Sequence, residues 1–170
     1  MSFKEVKELR KSGKLEEALT LAKSTLQEAP DDIWAKRGLA WVHYDCLKLN
    51  ASPDNYEKFK EHLFALKELN LPEDEVMVFD QLAFQIGKLL FAIKNPEKLS
   101  DTEVNLNDLF ETLKGFHFTK PSESYTFLYR SFHRFNKVWK DYLDFADWWD
   151  FDNFQSVDYL PNEYNGKKIM

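Results

Sequence analysis

The residues GKLEEALTLAKSTLQEAP run from Gly13 to Pro30 and combine a helical apolar spacing with a proline stop. Two residues on the apolar side, Ala18 and Ala22, are small, and small residues let a neighbouring helix approach closely. Glycine suits the turn before such a helix, and proline cannot continue one. The segment therefore predicts the second helix of a hairpin, packed closely against the first.

The same three- and four-residue apolar spacing continues along the chain, and the six prolines punctuate it. The clearest alternating segment is FHFT, which is too short to indicate a strand, and we interpret it as an extended connector. The sequence predicts an all-α fold with about seven or eight helices. These helices begin near Ser2, Leu15, Trp34, Pro53, Glu73, Leu106 and Tyr125, and the last is expected to reach Tyr142 without a break.

Composition narrows the classes of protein that the chain can represent. Its 170 residues carry a net charge of −6, which gives no overall attraction to nucleic acid or to an anionic membrane. The single cysteine, Cys46, excludes an internal disulfide framework and fits a reducing compartment. The N-terminus lacks the apolar region of a secretory signal, and no apolar run has the length of a membrane span. We expect a cytoplasmic protein that does not bind membranes.

Residues 2–30 resemble one unit of the tetratricopeptide repeat (TPR). The sequence WAKRGLAW, 34–41, resembles the opening of a second unit, with Arg37 where leucine is usual and Trp41 where tyrosine is usual. A third pair from Glu73 keeps Ala83, and beyond residue 94 the pattern is gone. The chain also looks like the helical N-terminal part of bacterial TPR-like proteins of unknown function. The residues at the family's spacings in the first unit are Gly13, Leu15, Ala18, Ala22, Leu26 and Pro30.

The resemblance implies antiparallel hairpins stacked as a right-handed α-solenoid. We expect a single domain, with TPR-like hairpins over 1–94, an irregular connector and short helix over 95–121, and an aromatic C-terminal helical cap over 122–170. The final residues, LPNEYNGKKIM, show no closing pattern. They are either a ragged tail or the start of a further part of a longer protein.

The resemblance also implies a non-catalytic scaffold or adaptor that binds a peptide or protein segment on its concave face. When the first helices of the three pairs are aligned, Lys11, His43 and Lys88 fall at one level. A basic row of this kind suits an acidic segment or a C-terminal carboxylate, although lysines on helix faces are often only solvated. The residues predicted to bind the partner are Lys7, Arg10, Lys11, Trp34, His43, Tyr44 and Lys88.

A second interpretation comes from the basic and aromatic sequence TKPSESYTFLYRSFHRFNKVWK, 119–140. On one continuous helix, Arg130, Arg134 and Lys137 would share a face. Basic residues interleaved with rings bind single-stranded nucleic acid through phosphate contacts and stacking. The alternative function is therefore an accessory or regulatory domain of a larger, nucleic-acid-linked protein. The same basic residues could instead pair with the acidic segment that follows.

That following segment, 139–163, holds seven acidic residues and one lysine among many aromatic residues. It is either a docking surface for a basic or apolar partner or a cap that buries its rings at the end of the helical stack.

The sequence gives little support for a catalytic site or a metal site. His43 and Cys46 are three residues apart, but a zinc site needs three or four ligands. A Cys46 nucleophile lacks an orienting group nearby in the sequence, and five scattered glycines do not form a phosphate-binding loop. The sequence predicts a protein that is not an enzyme and that holds no metal or cofactor.

Overall fold

The computed structural model describes residues 2–71, 76–116 and 123–149, and all regular structure within these ranges is helical. This confirms the all-α prediction for the described residues. The chain divides into two compact units: unit 1 is Met1–Asn50 with Glu57–Pro72, and unit 2 is Ala51–Tyr56 with Glu73–Met170. The α-helices are α1 Ser2–Lys11, α2 Leu15–Glu28, α3 Ile33–Leu49, α4 Tyr56–Glu68, α5 Val76–Phe91, α6 Leu106–Leu113, α7 Glu123–His133 and α8 Tyr142–Trp148.

In unit 1, a tight turn joins α1 and α2 into a hairpin. Gly13 adopts a positive φ of 77°, a conformation that glycine reaches without a steric penalty. The Lys14 backbone N–H then donates to the Leu9 carbonyl at 2.9 Å and closes the end of α1. Gly13 therefore fixes the reversal that lets α2 fold back on α1.

Helix α3 packs against both members of this hairpin. Ala18 and Ala22 are buried, and they share a core with Val6 of α1 and with Leu39 and Val42 of α3. The expectation that the small residues of α2 face neighbouring helices is confirmed. Because alanine adds only a methyl group, the three helices meet with little side-chain volume between them.

In unit 2, α5 packs against α7, and the two helices run parallel. The direction follows from their contacts: Ser124 near the start of α7 donates to Asp80 near the start of α5, at 3.3 Å. Beyond the last turn of α7, Arg134 donates to the carbonyls of Leu90 and Ile93 at 2.6 and 2.9 Å. Arg134 thus joins the end of α7 to carbonyl groups in the last turn of α5 and in the turn just after it.

Rings from α6, α7 and α8 form the core of the C-terminal part of unit 2. Phe132 and Phe145 lie 4.3 Å apart between ring centroids, and both are fully buried. Trp139 is buried beside them, and its indole N–H donates to the Asn107 side chain at 2.7 Å. Within residues 139–149 of the aromatic segment, the buried rings therefore pack inside unit 2, and their role as a cap of a helical stack stays a prediction. The remainder of that segment, from residue 150, lies outside the described residues.

The expected continuous helix from Tyr125 to Tyr142 is wrong. Helix α7 ends at His133, turns follow over 134–141, and α8 begins at Tyr142. The chain turns because the Arg134 side chain reaches back to α5 while Trp139 is brought onto Phe132. The predicted shared helix face of Arg130, Arg134 and Lys137 therefore does not exist.

Two other boundaries differ from expectation. Pro53 opens a short 3-10 turn, Pro53–Asn55, before α4, rather than starting the α-helix itself. The fifth helix is Val76–Phe91, shorter at its C-terminal end than the predicted Glu73–Lys94, and residues 72–75 lie outside the described ranges, as do 117–122 with most of the FHFT connector. Within the part of the chain that the structure describes, no helix is long and apolar enough to cross a membrane.

The role of the small residues in α2 can be tested by enlarging one of them. Ala18→Leu is expected to lower the free energy of unfolding by about 1–3 kcal/mol, because the extra side chain has no space between the helices. Urea unfolding followed by circular dichroism measures the change. Thr20→Leu, at an exposed position of the same helix, should stay within about 0.5 kcal/mol of wild type. Equal effects of the two substitutions would contradict the close packing of α2.

Candidate functional site

The predicted binding residues of α1 are of two kinds: two are exposed, and one makes contacts with α3. Lys7 and Lys11 are exposed. Arg10 is instead engaged within unit 1, since its Nε lies 2.7 Å from an Asp45 carboxylate oxygen and its guanidinium lies 5.4 Å from the Trp41 ring centre. Arg10 therefore joins α1 to α3, whereas Lys7 and Lys11 are exposed at the surface of this helix.

The predicted binding residues of α3 differ in their exposure to solvent. Trp34 is 58% exposed, with the Arg37 guanidinium 4.9 Å from its ring centre. His43 and Tyr44 are buried, so the expectation that they face a partner is wrong. The reason is the central place of α3, which packs against α1 and α2 and meets α4 through His43.

The buried contact between α3 and α4 is a pair of histidines. The Nδ1 atoms of His43 and His62 lie 3.0 Å apart, so one ring donates and the other accepts when both are neutral. Burial, together with His62 and Lys23, lowers the pKa of His43 to about 4, and burial also lowers the pKa of His62. The pair is therefore neutral near pH 7 and acts as an internal hydrogen bond.

In unit 2, Lys88 lies on a surface of exposed rings. Phe84 and Phe91 of α5 remain 46% and 40% exposed, and half-buried Phe127 of α7 lies between them. The Phe127 ring stacks on Phe84 at 5.4 Å and on Phe91 at 5.0 Å between centroids. We call these three rings, with the exposed side chains of Lys88 and Arg130, the phenylalanine face.

Gly87 makes this arrangement possible. A Cβ atom on Gly87 would lie only 2.5 Å from two atoms of the Phe127 ring, closer than packed atoms approach. Glycine in the middle of a helix costs about 1 kcal/mol relative to alanine, so its position opposite Phe127 has a steric purpose. The missing side chain leaves the space in which Phe127 enters the row between Phe84 and Phe91.

The basic residues proposed for nucleic-acid contact have separate environments. Arg134 donates to the carbonyls of Leu90 and Ile93, and its guanidinium lies 5.1 Å from the centre of the Phe91 ring. Arg130 is exposed on α7, three residues after Phe127 and one turn before Arg134. Lys137 is exposed in the turns after α7. Of these three, Arg134 is part of the framework, and Arg130 borders the phenylalanine face.

The binding residues predicted from the sequence include Lys88 but none of the three rings around it. The signal was present, because Phe84, Lys88 and Phe91 follow one another at four and three residues and so share one face of α5. What the sequence could not supply was Phe127, which is 36 positions beyond Phe91 and completes the row from another helix.

A cavity of about 640 Å³ lies elsewhere in unit 2, beside α6 and α8. Lys114 reaches across its wall, with Nζ 3.1 Å from a Glu111 oxygen and 4.3 Å from the Phe110 ring centre. Residues 139–149 of the aromatic and acidic segment contribute Asp141, Asp144, Asp147 and Trp148 to the lining of the cavity. The cavity is lined by Asn107, Phe110, Glu111, Lys114, Asp141, Asp144, Asp147 and Trp148.

The environment of Cys46 is unfavourable for a nucleophile. Burial raises the pKa of its thiol, and the nearby carboxylates of Asp45, Glu16 and Glu61 raise it further. A raised pKa reduces the fraction of reactive thiolate at neutral pH. Among the described residues, no three histidine, cysteine, aspartate or glutamate side chains are grouped to hold a metal ion.

Comparison with known proteins gives no assignment: no family model, curated protein or solved structure matches this chain.

The histidine pair predicts a pH-dependent stability. The unfolded chain binds a proton at each histidine near pH 6.5, whereas folded His43 does so only near pH 4, so acid favours unfolding in this window. Between pH 7 and pH 5, the free energy of unfolding should fall by about 1–2 kcal/mol. Urea unfolding at pH 7 and at pH 5 measures this fall in the free energy of unfolding. The His43→Gln/His62→Gln variant should show a smaller fall; an unchanged pH dependence would contradict this role of the pair.

The contact between Gly87 and Phe127 predicts a reversal of sign in a double-mutant cycle. In the wild-type chain, Gly87→Ala should destabilise by about 1–3 kcal/mol, because the added methyl group displaces the Phe127 ring. In a Phe127→Ala background, the same change should stabilise by up to about 1 kcal/mol through helix propensity. Thermal unfolding of the four proteins tests this. A stabilising effect of Gly87→Ala in both backgrounds would refute the close approach.

Proposed function

We propose that the chain is a non-catalytic protein-interaction scaffold, and that the phenylalanine face of unit 2 binds a segment of a partner protein. The observation that carries the proposal is the exposed row of Phe84, Phe127 and Phe91. Large apolar side chains that remain exposed as one contiguous group are a mark of interaction surfaces, whereas isolated exposed residues are ordinary.

The order within the row supports a binding role. Phe127 is held between two rings and over Gly87, so its side chain is already ordered before any partner arrives. A surface that is ordered in advance loses less conformational entropy on binding. Aromatic residues at the centre of an interface also contribute much of the binding energy when water is excluded from them.

The TPR-like arrangement stays part of the proposal. The α1–α2 hairpin with α3 against both helices, and the parallel packing of α5 and α7, are what stacked helical pairs produce. In such stacks the first helices of the pairs carry the binding surface, and α5 is the first helix of the third predicted pair. Lys7, Lys11 and Trp34 remain the predicted contacts on unit 1, and the single cysteine supports a cytoplasmic location.

The experiment compares capture of partners by three forms of the full chain from extracts of the cells that produce it. The Phe84→Ser/Phe91→Ser variant should lose at least one protein that the wild type retains, because the apolar contacts of the face are removed. Phe64→Ser is the matched control, since Phe64 is an exposed ring of α4 at 51%. It should retain the same protein.

Circular dichroism confirms that each variant is folded before capture. Identical captures by all three proteins would overturn the proposed face. A capture that disappears on nuclease treatment and depends on Arg130 would favour the alternative, an accessory domain of a nucleic-acid-linked protein.

A further inference from the structure

We propose that the partner segment is an acidic amphipathic helix that lies along α5 and α7 on the phenylalanine face. This inference rests on the proposed function and adds the chemistry and conformation of the partner. Three properties of the face support it: the parts of the rings that a partner can contact, the distances between the rings, and the charges that border them.

The faces by which the three rings of the row meet one another are already occupied within the protein. Phe127 stacks against Phe84 and Phe91, with interplanar angles of 27° and 15°, and the Arg134 guanidinium lies over the Phe91 ring. A nucleic-acid base stacks on the flat face of an aromatic ring. A row that presents mainly ring edges offers contacts to aliphatic side chains instead, which favours a protein partner over a single-stranded nucleic acid.

The spacing of the rings fits a helix. Successive centroids in the row are 5.4 and 5.0 Å apart, and one turn of an α-helix rises about 5.4 Å. Side chains on one face of a strand recur at about 6.6–6.8 Å, which falls out of step with the row. A partner helix can therefore place one apolar residue per turn against the rings, in the i, i+4, i+7 pattern of helix-in-groove recognition.

The charges at the border favour an acidic partner. Lys88 lies between Phe84 and Phe91 on the outer side of α5, and Arg130 is exposed on α7 one turn after Phe127. Carboxylates beside the apolar stripe of a partner helix would meet these cations. At the opposite end of the row, Glu123 is exposed and Asp80 accepts a hydrogen bond from Ser124, so the basic character belongs to the middle and C-terminal part of the face.

The probe is a displayed library of helical peptides with leucine at i, i+4, i+7 and i+11 and with all flanking positions randomised. Selection uses the full wild-type chain as bait. The selected peptides should be enriched in aspartate and glutamate beside the stripe. Synthetic copies should bind about tenfold more weakly to the Lys88→Glu/Arg130→Glu variant, measured by fluorescence anisotropy. Lys98→Glu/Lys140→Glu makes the same charge change at other exposed positions of unit 2 and should leave binding unchanged.

The outcomes separate this inference from the proposed function. Selected peptides with no acidic enrichment that still lose binding to Phe84→Ser overturn the acidic partner and leave the face standing. Peptides that bind the Phe84→Ser variant as tightly as the wild type overturn both. Failure to select any peptide overturns the inference. So does a labelled deoxythymidine oligomer that binds the wild-type chain more tightly than the peptides do and loses this binding in the Phe84→Ser variant.

Discussion

The contact of the Phe127 ring with the backbone of Gly87 is the constraint on which the surface of unit 2 depends. It brings α7 close to α5 and leaves Phe84 and Phe91 on either side of one ring. Rings held in this way cannot turn inward to be buried, because the space between them is already filled. The same packing that joins the two helices therefore leaves apolar edges in water, and a partner that covers them would gain the free energy of their burial.

Two arginines of this protein join helices to one another rather than presenting their charge to solvent. Arg134 joins the end of α7 to the carbonyls of Leu90 and Ile93, at and just beyond the end of α5, and Arg10 joins α1 to Asp45 of α3. A charged hydrogen bond of this type stabilises more than a neutral one, and removing it leaves the partner groups unsatisfied. The basic residues that remain for recognition on the phenylalanine face are Lys88 and Arg130, which is why the argument for an acidic partner depends on these two.

Local signals in the sequence predicted the positions of the helices well. They failed where contacts between residues far apart in the sequence determine the structure. Asp32 and Asn105 cap α3 and α6 through side chains that accept neighbouring backbone N–H groups, so both helix starts follow from nearby residues. His43 had the spacing of a surface residue, yet His62, 19 positions away, makes it part of the core. The break after His133 has the same origin, because the carbonyls that hold Arg134 belong to residues more than 40 positions earlier in the chain. The row of rings could not be predicted either, since its middle member comes from α7.

The most direct test of the central claim is photo-crosslinking from the phenylalanine face in the cells that produce the chain. Benzoylphenylalanine in place of Phe84 should form an adduct with a discrete protein, and the same group in place of Phe64 should not. The crosslinked segment of the partner, read by mass spectrometry, should carry acidic residues beside an apolar helical stripe. An equal pattern of adducts from both positions, or no protein adduct from position 84, would contradict the account.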